Sequence, residues 1–482
     1  MPVLNGLQPK RVFYYFEELC KIPHGSYHTK EISDYLVAFA KAHGLEYRQD
    51  ESNNVVLKKP ATSGYENAPT VILQGHSDMV CEKVVGSSHN FEKDGLELLI
   101  QDDYITANGT TLGGDDGIAV AYALAILENN QIKHPALEVL ITTDEEVGLL
   151  GAKALDVSDL KGKYFINLDS EEEGKIWISC AGGLTAITEI PVSYTTVVGM
   201  KYELVIDGLV GGHSGAEIDK NRANSNKLMG RFLFELVDIM EYQLAELVGG
   251  QKDNAITRTT RAVIVSSAEA EVLLTEKAKS FERAMREEYR GSDSDITVTV
   301  RKLGEDTTEV IDSVSFQKIL FYLVQVPFGV QKMSGEIDGL VETSINMGIL
   351  ELGEQSCKAI SSIRSSLGSA KVALSDKVCY LTEFLGGTYT IEGDYPAWEY
   401  RKDSKLRDIV AQTYEDMFHK KPDIVAIHAG LECGIFYEKM TDLDCVSIGP
   451  DMADIHTTEE RLFISSTERT WKLLLKILEN IK

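Results

Sequence analysis

The chain is 482 residues long, with 43% hydrophobic and 26% charged residues and a formal net charge of -27 at pH 7. That length exceeds one ordinary hydrophobic core and predicts two or three domains. The acidity excludes a nucleic-acid backbone or an anionic membrane as the main partner. The first residues, MPVLNGLQPKRVFYYFEEL, lack the charged-then-apolar pattern of a secretory leader, and there is no apolar run of membrane-spanning length, so a cytoplasmic location is expected. The cysteines are scattered with no CxxC pair, which argues against a disulfide framework or a thiolate metal site.

In chain order, helical patterns over Arg11 to Cys20 and Thr29 to His43 precede a series of short apolar runs. VILQGHSDMV reads as a buried strand from Val71 to Gln74 that breaks at Gly75 and presents His76 and Asp78. TLGGDDGIAVAYALAILENN opens on a glycine turn, presents Asp115 and Asp116, and continues as an apolar helix. ALEVLITTDEEVG is a strand from Leu137 to Thr142 that ends in Asp144, Glu145 and Glu146; KYFINLDSEE is a strand from Tyr164 to Leu168 that ends in Asp169. This alternation predicts an α/β domain built on a mostly parallel sheet, with polar clusters at the carboxyl ends of the strands, the edge at which such sheets bind ligands.

From Gly183 to Tyr395 no comparable acid and histidine clusters occur. A long helix from Asn224 to Val248 and the strand-like runs RAVIVSSA, ITVTVRKL and TSINMGILEL predict a separate α+β domain. After GDYPAWEY come a helix from Ser404 to Phe418, strand-like DIVAIHAG and DCVSIGP, and a final amphipathic helix. His456 lies in this last block, so residues 396–482 are expected to rejoin residues 1–182, with 183–395 inserted between them.

Two divalent metals about 3.5 to 4 Å apart need a bridging carboxylate and further oxygen or nitrogen donors. Asp115 suits the bridge, because the glycines around it allow a tight turn ahead of a helix. His76 and Asp169 would complete one metal, and Glu146 and His456 the other. Asp78, two residues beyond His76, can orient the imidazole, and Glu145 is left as the general base. Taken singly, GGDDG is also a turn with a helix cap and His456 also a residue ahead of a helix; the joint order at strand ends is what favours the metals. Carboxylate and imidazole donors accept zinc, manganese and cobalt alike. HExxH, GxxxxGK[ST] and GxSxG motifs are absent.

Together GHSDMV, TLGGDDG, TTDEEVG, NLDSEE and the late Asp-x-His-Thr resemble the co-catalytic zinc peptidases that include aminoacylases, carboxypeptidases and dipeptidases. IPHGS, DEEVGLLGA, GLVGGHSGAEI and HAGLECG resemble the aminoacyl-histidine (Xaa-His) dipeptidases among them, over nearly the whole chain. The resemblance implies a catalytic domain interrupted by a lid domain, a homodimer, two zinc ions, and hydrolysis of carnosine-like Xaa-His dipeptides, with Asp115 as bridge, Glu145 as base and a cis peptide between Asp115 and Asp116. It further implies that His213 stabilises the oxyanion, in its own active site or that of a partner subunit, and that Asn254 and Arg364 bind the substrate carbonyl or carboxylate. A guanidinium suits a free carboxylate because its planar fork reaches both oxygens. Gly430 and Glu432 are expected to line the pocket, and His428 is a further candidate. The same motifs leave open an N-acyl amino-acid deacylase or a broad-specificity dipeptidase, and a catalytically silent relative that keeps the fold.

Overall fold

The parallel strands that carry the acidic clusters sit side by side, which brings their carboxyl ends to one edge. In the computed structural model, which describes residues 2–482, the chain divides into two units. The first comprises Met1–Ser179, Tyr400–Ala426 and Leu431–Lys482, and the second Cys180–Glu399 and Ile427–Gly430. The short segment Ile427–Gly430 is an addition to the second unit that the expected boundaries did not contain.

The first unit is built on an eight-stranded sheet in the order Glu46–Gln49, Val55–Lys59, Leu137–Thr142, Val71–His76, Tyr164–Asn167, Asp444–Ser447, Lys175–Cys180, Asp423–Ile427. Val71–His76 runs parallel to both Leu137–Thr142 and Tyr164–Asn167, and Asp444–Ser447 parallel to Tyr164–Asn167; the pairings with Glu46–Gln49, Val55–Lys59 and Lys175–Cys180 are antiparallel. Every residue of Val71–His76, Leu137–Thr142 and Asp444–Ser447 is buried. This is the signature of strands covered on both faces, and it explains why their sequences read as continuous apolar runs.

The helix Gly114–Glu128 is buried all round from Ile118 to Leu127, as a helix without a polar face must be. Its Tyr122 stacks on Trp471 of the terminal helix Ile464–Asn480 at 5.9 Å and donates to the Thr467 carbonyl at 2.9 Å. A four-stranded sheet, Met452–Ala453, Arg461–Phe463, Tyr104–Ala107 and Leu98–Gln101, joins the C-terminal block to the segment just before the GGDDG turn. His456 lies in the turn between the first two of these strands, so this sheet carries it back toward residues about 340 positions earlier in the chain.

The second unit holds a nine-stranded sheet whose pairings are all antiparallel. The helices Ser225–Val237, Ala270–Glu288 and Ser313–Gln325 bury Phe232, Phe281 and Phe316 in one core with Tyr202, Leu204 and Ile264 of the sheet. One expected element is corrected. The helix predicted over Asn224 to Val248 ends at Val237, and Gln243–Gly249 is a strand paired with Thr260–Ser266. The sequence QLAELVG favours helix locally, but Leu244, Leu247 and Gly249 are buried on a strand whose register shifts between Leu244 and Glu246, and the ladder overrides the local preference. Among the described residues no helix is long and apolar enough to cross a membrane.

The strand Val71–His76 contains one glycine, and its site is tight. A Cβ at Gly75 would stand 2.4 Å from Asp116 Oδ2 and 2.7 Å from the Ala119 Cβ. Gly75→Ala is expected to cost about 1–3 kcal/mol of stability by overpacking, measured by chemical denaturation. Gly335→Ala, where nothing lies within 4 Å, should stay within about 0.5 kcal/mol of the parent. Equal stability of Gly75→Ala and the parent would contradict the packing described.

Candidate metal centre

The side chains of the acidic cluster meet at the carboxyl edge of the first unit's eight-stranded sheet, most of them from strand ends there and His456 from a turn of the four-stranded sheet. His76 is the last residue of Val71–His76. Asp115 and Asp116 stand at the head of Gly114–Glu128 with non-helical backbone (ψ 103° and 31°), joined by a cis peptide. Glu145 and Glu146 follow the strand Leu137–Thr142 through Asp144, which has φ 52°, and Asp169 follows Tyr164–Asn167. His456 has φ 59° in its turn.

The geometry centres on Asp115. Its Oδ1 lies 3.1 Å from His76 Nε2, which is also 3.7 Å from Asp169 Oδ1. Its Oδ2 lies 3.1 Å from His456 Nε2, which is also 3.0 Å from Glu146 Oε1. One carboxylate therefore faces two imidazole and carboxylate pairs, one on each oxygen. Donor atoms within 4.8 Å of one another form three groups: His76, Asp116 and Asp169; His76, Glu145 and Glu146; and Asp115, Glu146 and His456. The structure thus brings together His76, Asp115, Glu145, Glu146, Asp169 and His456, and adds Asp116.

The charge distribution of this cluster fits cations. Its acids include Asp115, Asp116, Glu145, Glu146 and Asp169, and among the described residues their only ion-pair partners are His76 and His456. Burial, with neighbouring carboxylates adding to it, pushes Asp116, Asp169 and Glu145 well above the usual carboxylate range. Asp115 goes the other way despite its burial, because hydrogen bonds from His456 and His76 favour its charged form. The reciprocal effect of Asp115 and Glu146 pushes His456 up to about 11. Asp116 Oδ1 is buried without a hydrogen-bond partner. Buried charges are stable when paired or when they coordinate metals, and an imidazole and carboxylate donor set suits divalent ions.

Backbone contacts complete the cluster. The Asp78 carboxylate accepts from Ser26 Oγ at 2.8 Å, from the Glu145 amide at 3.0 Å and from the Glu146 amide at 3.4 Å. His76 Nδ1 is 3.0 Å from the Asp78 carbonyl oxygen and 3.4 Å from its carboxylate. Although burial disfavours it, the carboxylates of Asp169, Asp115 and Asp78 raise the ring's pKa, and the protonated ring donates from Nδ1 toward Asp78 and from Nε2 to Asp115. Asp78 therefore contacts the acid pair as well as the imidazole, and only the contact to the acid pair was unannounced by its spacing.

Glu432 is 0% exposed, with Thr142 Oγ1 donating to it at 2.6 Å and Gln74 Nε2 donating alongside, so it is bonded to two strand ends beside the cluster. Burial pushes its carboxyl up to about 7.

The remaining expected residues belong to the second unit. His213 lies on the two-residue strand Gly212–His213, paired with Ala255–Ile256. Its Nδ1 accepts from the amides of Gly215 and Ala216 at 3.2 and 3.0 Å, so the ring proton sits on Nε2. Burial and the neighbouring Arg364 charge lower its pKa, which keeps it a neutral donor. Asn254 is exposed beside it, and its carbonyl accepts from the Ser214 amide at 2.9 Å. Arg364 Nη1 donates to Tyr395 Oη at 2.9 Å, while its buried Nε has no partner. Gly430 matters through Tyr395, since a Cβ there would meet the ring at 2.7 Å. His428 is buried with Nε2 2.7 Å from Ser344 Oγ, and burial beside Arg364 pushes it down to about 3. Tyr395 and Ser344 carry no motif, and sequence reading passed over both.

The model of peptidase family M20/M25/M40 matches residues 72–480. The chain is 35% identical over 483 aligned residues to a protein of Escherichia coli (strain K12) named cytosol non-specific dipeptidase, covering 100% of this chain and 99% of the relative. The crystal structure of an aminoacylhistidine dipeptidase from Vibrio alginolyticus superimposes with a TM-score of 0.94 at 35% identity, covering 99% of this chain and 98% of that one. An aminopeptidase structure from Bacillus cereus shares the fold with a TM-score of 0.56 at 17% identity, covering 98% and 99%.

The cluster's uncompensated charge generates a stability prediction. Zinc or manganese added to chelator-treated protein is expected to raise the unfolding temperature, with about 2.7 kcal/mol of stabilisation at a hundredfold excess over Kd. Asp115→Asn and His456→Ala should shrink that rise. An unfolding temperature indifferent to cations would refute the electrostatic fit.

Proposed function

From the premise that this chain belongs to peptidase family M20/M25/M40 and is therefore a hydrolase, we propose that it cleaves dipeptides, Xaa-His among the preferred ones, at a centre of two divalent ions. The observation that carries this reading is the division of Asp115, with His76 and Asp169 on its Oδ1 side and His456 and Glu146 on its Oδ2 side. Those five residues would hold the ions, proposed to be zinc, with manganese and cobalt the alternatives that the same donors accept. When bound, such a pair of ions polarises a carbonyl and makes a water nucleophilic at neutral pH.

The chain's own groups do the rest. Glu145, fixed through its amide to Asp78, takes the proton of the attacking water and returns it to the leaving nitrogen. Its strongly raised pKa in the metal-free protein reflects burial and neighbouring carboxylates. In the second unit, the Nε2 proton of His213 is the donor assigned to the substrate's carbonyl oxygen, with Asn254 beside it. Arg364, held by Tyr395, is assigned to the free carboxylate of the dipeptide. Gly430 leaves room for Tyr395, and Glu432 supports the strand ends. A cytoplasmic homodimer belongs to the same proposal; the Escherichia coli relative is named a cytosol protein.

The two full-length relatives bear different names, one non-specific and one aminoacylhistidine dipeptidase. A broad dipeptidase is therefore the second reading. Histidine release from β-alanyl-histidine and glycyl-histidine, set beside leucyl-glycine, alanyl-alanine and N-acetyl amino acids, separates the readings. Metal-dependent release that is faster for the histidine dipeptides supports the preference. Equal rates across dipeptides support breadth, and cleavage of the N-acetyl compounds alone would replace dipeptidase by deacylase.

Glu145→Gln should lower kcat by roughly 10²–10⁴-fold while metal content stays at two ions per chain by elemental analysis. Activity within a few-fold of the parent would show that another group is the base.

A further inference from the structure

The turn that presents Asp115 is held by a residue far away in the chain. Glu460 is 3% exposed, and its carboxylate faces four successive backbone amides. Oε2 accepts from Leu112 N at 2.7 Å and Gly113 N at 3.1 Å; Oε1 accepts from Gly114 N at 2.8 Å and Asp115 N at 3.5 Å. These are donors at the start of Gly114–Glu128, which has no side-chain cap from its own N-cap residue, Gly113. Amides at a helix start have no partner within the helix. Gly113 has φ 66°, and a Cβ at Gly114 would come within 3.3 Å of Glu460 Oε1, so the turn is shaped to let the carboxylate approach.

Glu460 also stands four residues after His456. Its carbonyl accepts from Thr106 Oγ1 at 2.8 Å, and the next residues pair with Tyr104–Ala107. The same short segment therefore carries one imidazole of the cluster and the clamp on the bridging carboxylate's backbone. A shift of either would change the 3.1 Å separation between His456 Nε2 and Asp115 Oδ2.

We infer that Glu460 is a positioning residue of the metal centre: its carboxylate locks the Leu112–Asp115 turn to the His456 loop and sets the distance between the two sides of the cluster. This rests on the two-metal reading above for its consequence, but its mechanical part does not. Partners that orient metal ligands typically contribute 10–100-fold in affinity or activity. Glu460→Gln keeps the shape and one acceptor oxygen; Glu460→Ala removes both. The expected order of metal affinity is parent, then Gln, then Ala, with kcat falling in the same order and KM nearly constant.

A matched control exists in the same unit. Glu138 is also buried, at 4% exposure, and its carboxylate accepts from Lys161 N at 3.0 Å and Gly162 N at 2.9 Å. It sits near the start of Leu137–Thr142, at the end of the sheet opposite the cluster. Glu138→Gln should lower the unfolding temperature as a lost buried cap does, without changing metal affinity.

The experiment is calorimetric titration of zinc into the chelated full-length parent, Glu460→Gln, Glu460→Ala and Glu138→Gln, with amide hydrogen exchange of the metal-free proteins over residues 112–118. The proposal expects roughly 10–100-fold weaker zinc binding and faster exchange in that segment for Glu460→Gln, and neither for Glu138→Gln. Glu460→Gln that loses stability yet binds zinc and exchanges like the parent overturns it. Should the parent itself bind no zinc, the two-metal reading fails, and the exchange rates still decide whether Glu460 holds the turn. Glu460→Gln serves where Glu460→Ala does not fold.

Discussion

Everything in the first unit turns on keeping Asp115 buried, ionised and correctly aimed. A carboxylate without solvent is unfavourable unless hydrogen bonds and opposite charges compensate it, and here the compensation comes from two directions. His76 arrives on the central parallel strand and His456 on a turn of the small antiparallel sheet, each about 3.1 Å from one oxygen. The imidazoles are in turn held by Asp78 and by Asp169 and Glu146. The backbone under Asp115 is gripped by Glu460. Removing any of these leaves a neighbouring charge buried without its partner, which makes the arrangement interdependent.

Beneath the cluster the sheet gives up apolar packing for a polar chain. Asn167 Nδ2 donates to Gln74 Oε1 at 2.7 Å, Ser447 Oγ donates to Asn167 Oδ1 at 2.5 Å, and Ser170 Oγ lies 2.5 Å from Ser447 Oγ. Gln74 and Thr142 then reach Glu432 on the other side. The chain passes through neighbouring strands near their carboxyl ends, where each strand places one polar side chain in the interior. Glu432 Oε1 ends the chain of bonds without a partner; the bonded part links the segments from which His76, Glu145 and Asp169 extend and stiffens them. The stiffness of the centre thus begins one layer below it.

The second unit follows a different logic. His213 is kept neutral by burial and by the Arg364 charge, with two backbone amides fixing its tautomer. Arg364 donates to Tyr395, and Gly183 and Gly430 both leave space for that ring: a Cβ at either would come within about 2.5 to 2.7 Å of Tyr395. The acidic cluster of the first unit concentrates negative charge, whereas this group in the second unit is made of neutral and positive donors.

Sequence reading reached the parallel sheet because strands buried on both faces announce themselves as apolar runs, and it reached the acidic clusters because they follow those runs directly. It placed Val71 to Gln74 and Leu137 to Thr142 within the observed strands. It erred at Gln243–Gly249, where a helix-favouring segment is drawn into a ladder by strands from elsewhere in the chain. It left Glu460, Tyr395 and Ser344 unnoticed, and did not foresee that Glu432 is fully buried and bonded to Thr142 and Gln74. The reason is common to these cases. Local order and residue type are written along the chain, so the sequence by itself determined where the buried strands run and the chemical identity of the donors. Which carboxylate grips a backbone turn 345 residues away, which tyrosine holds an arginine, and which glutamate is hidden are matters of register and close packing between distant segments. Those came into being only when the tertiary structure brought the segments together.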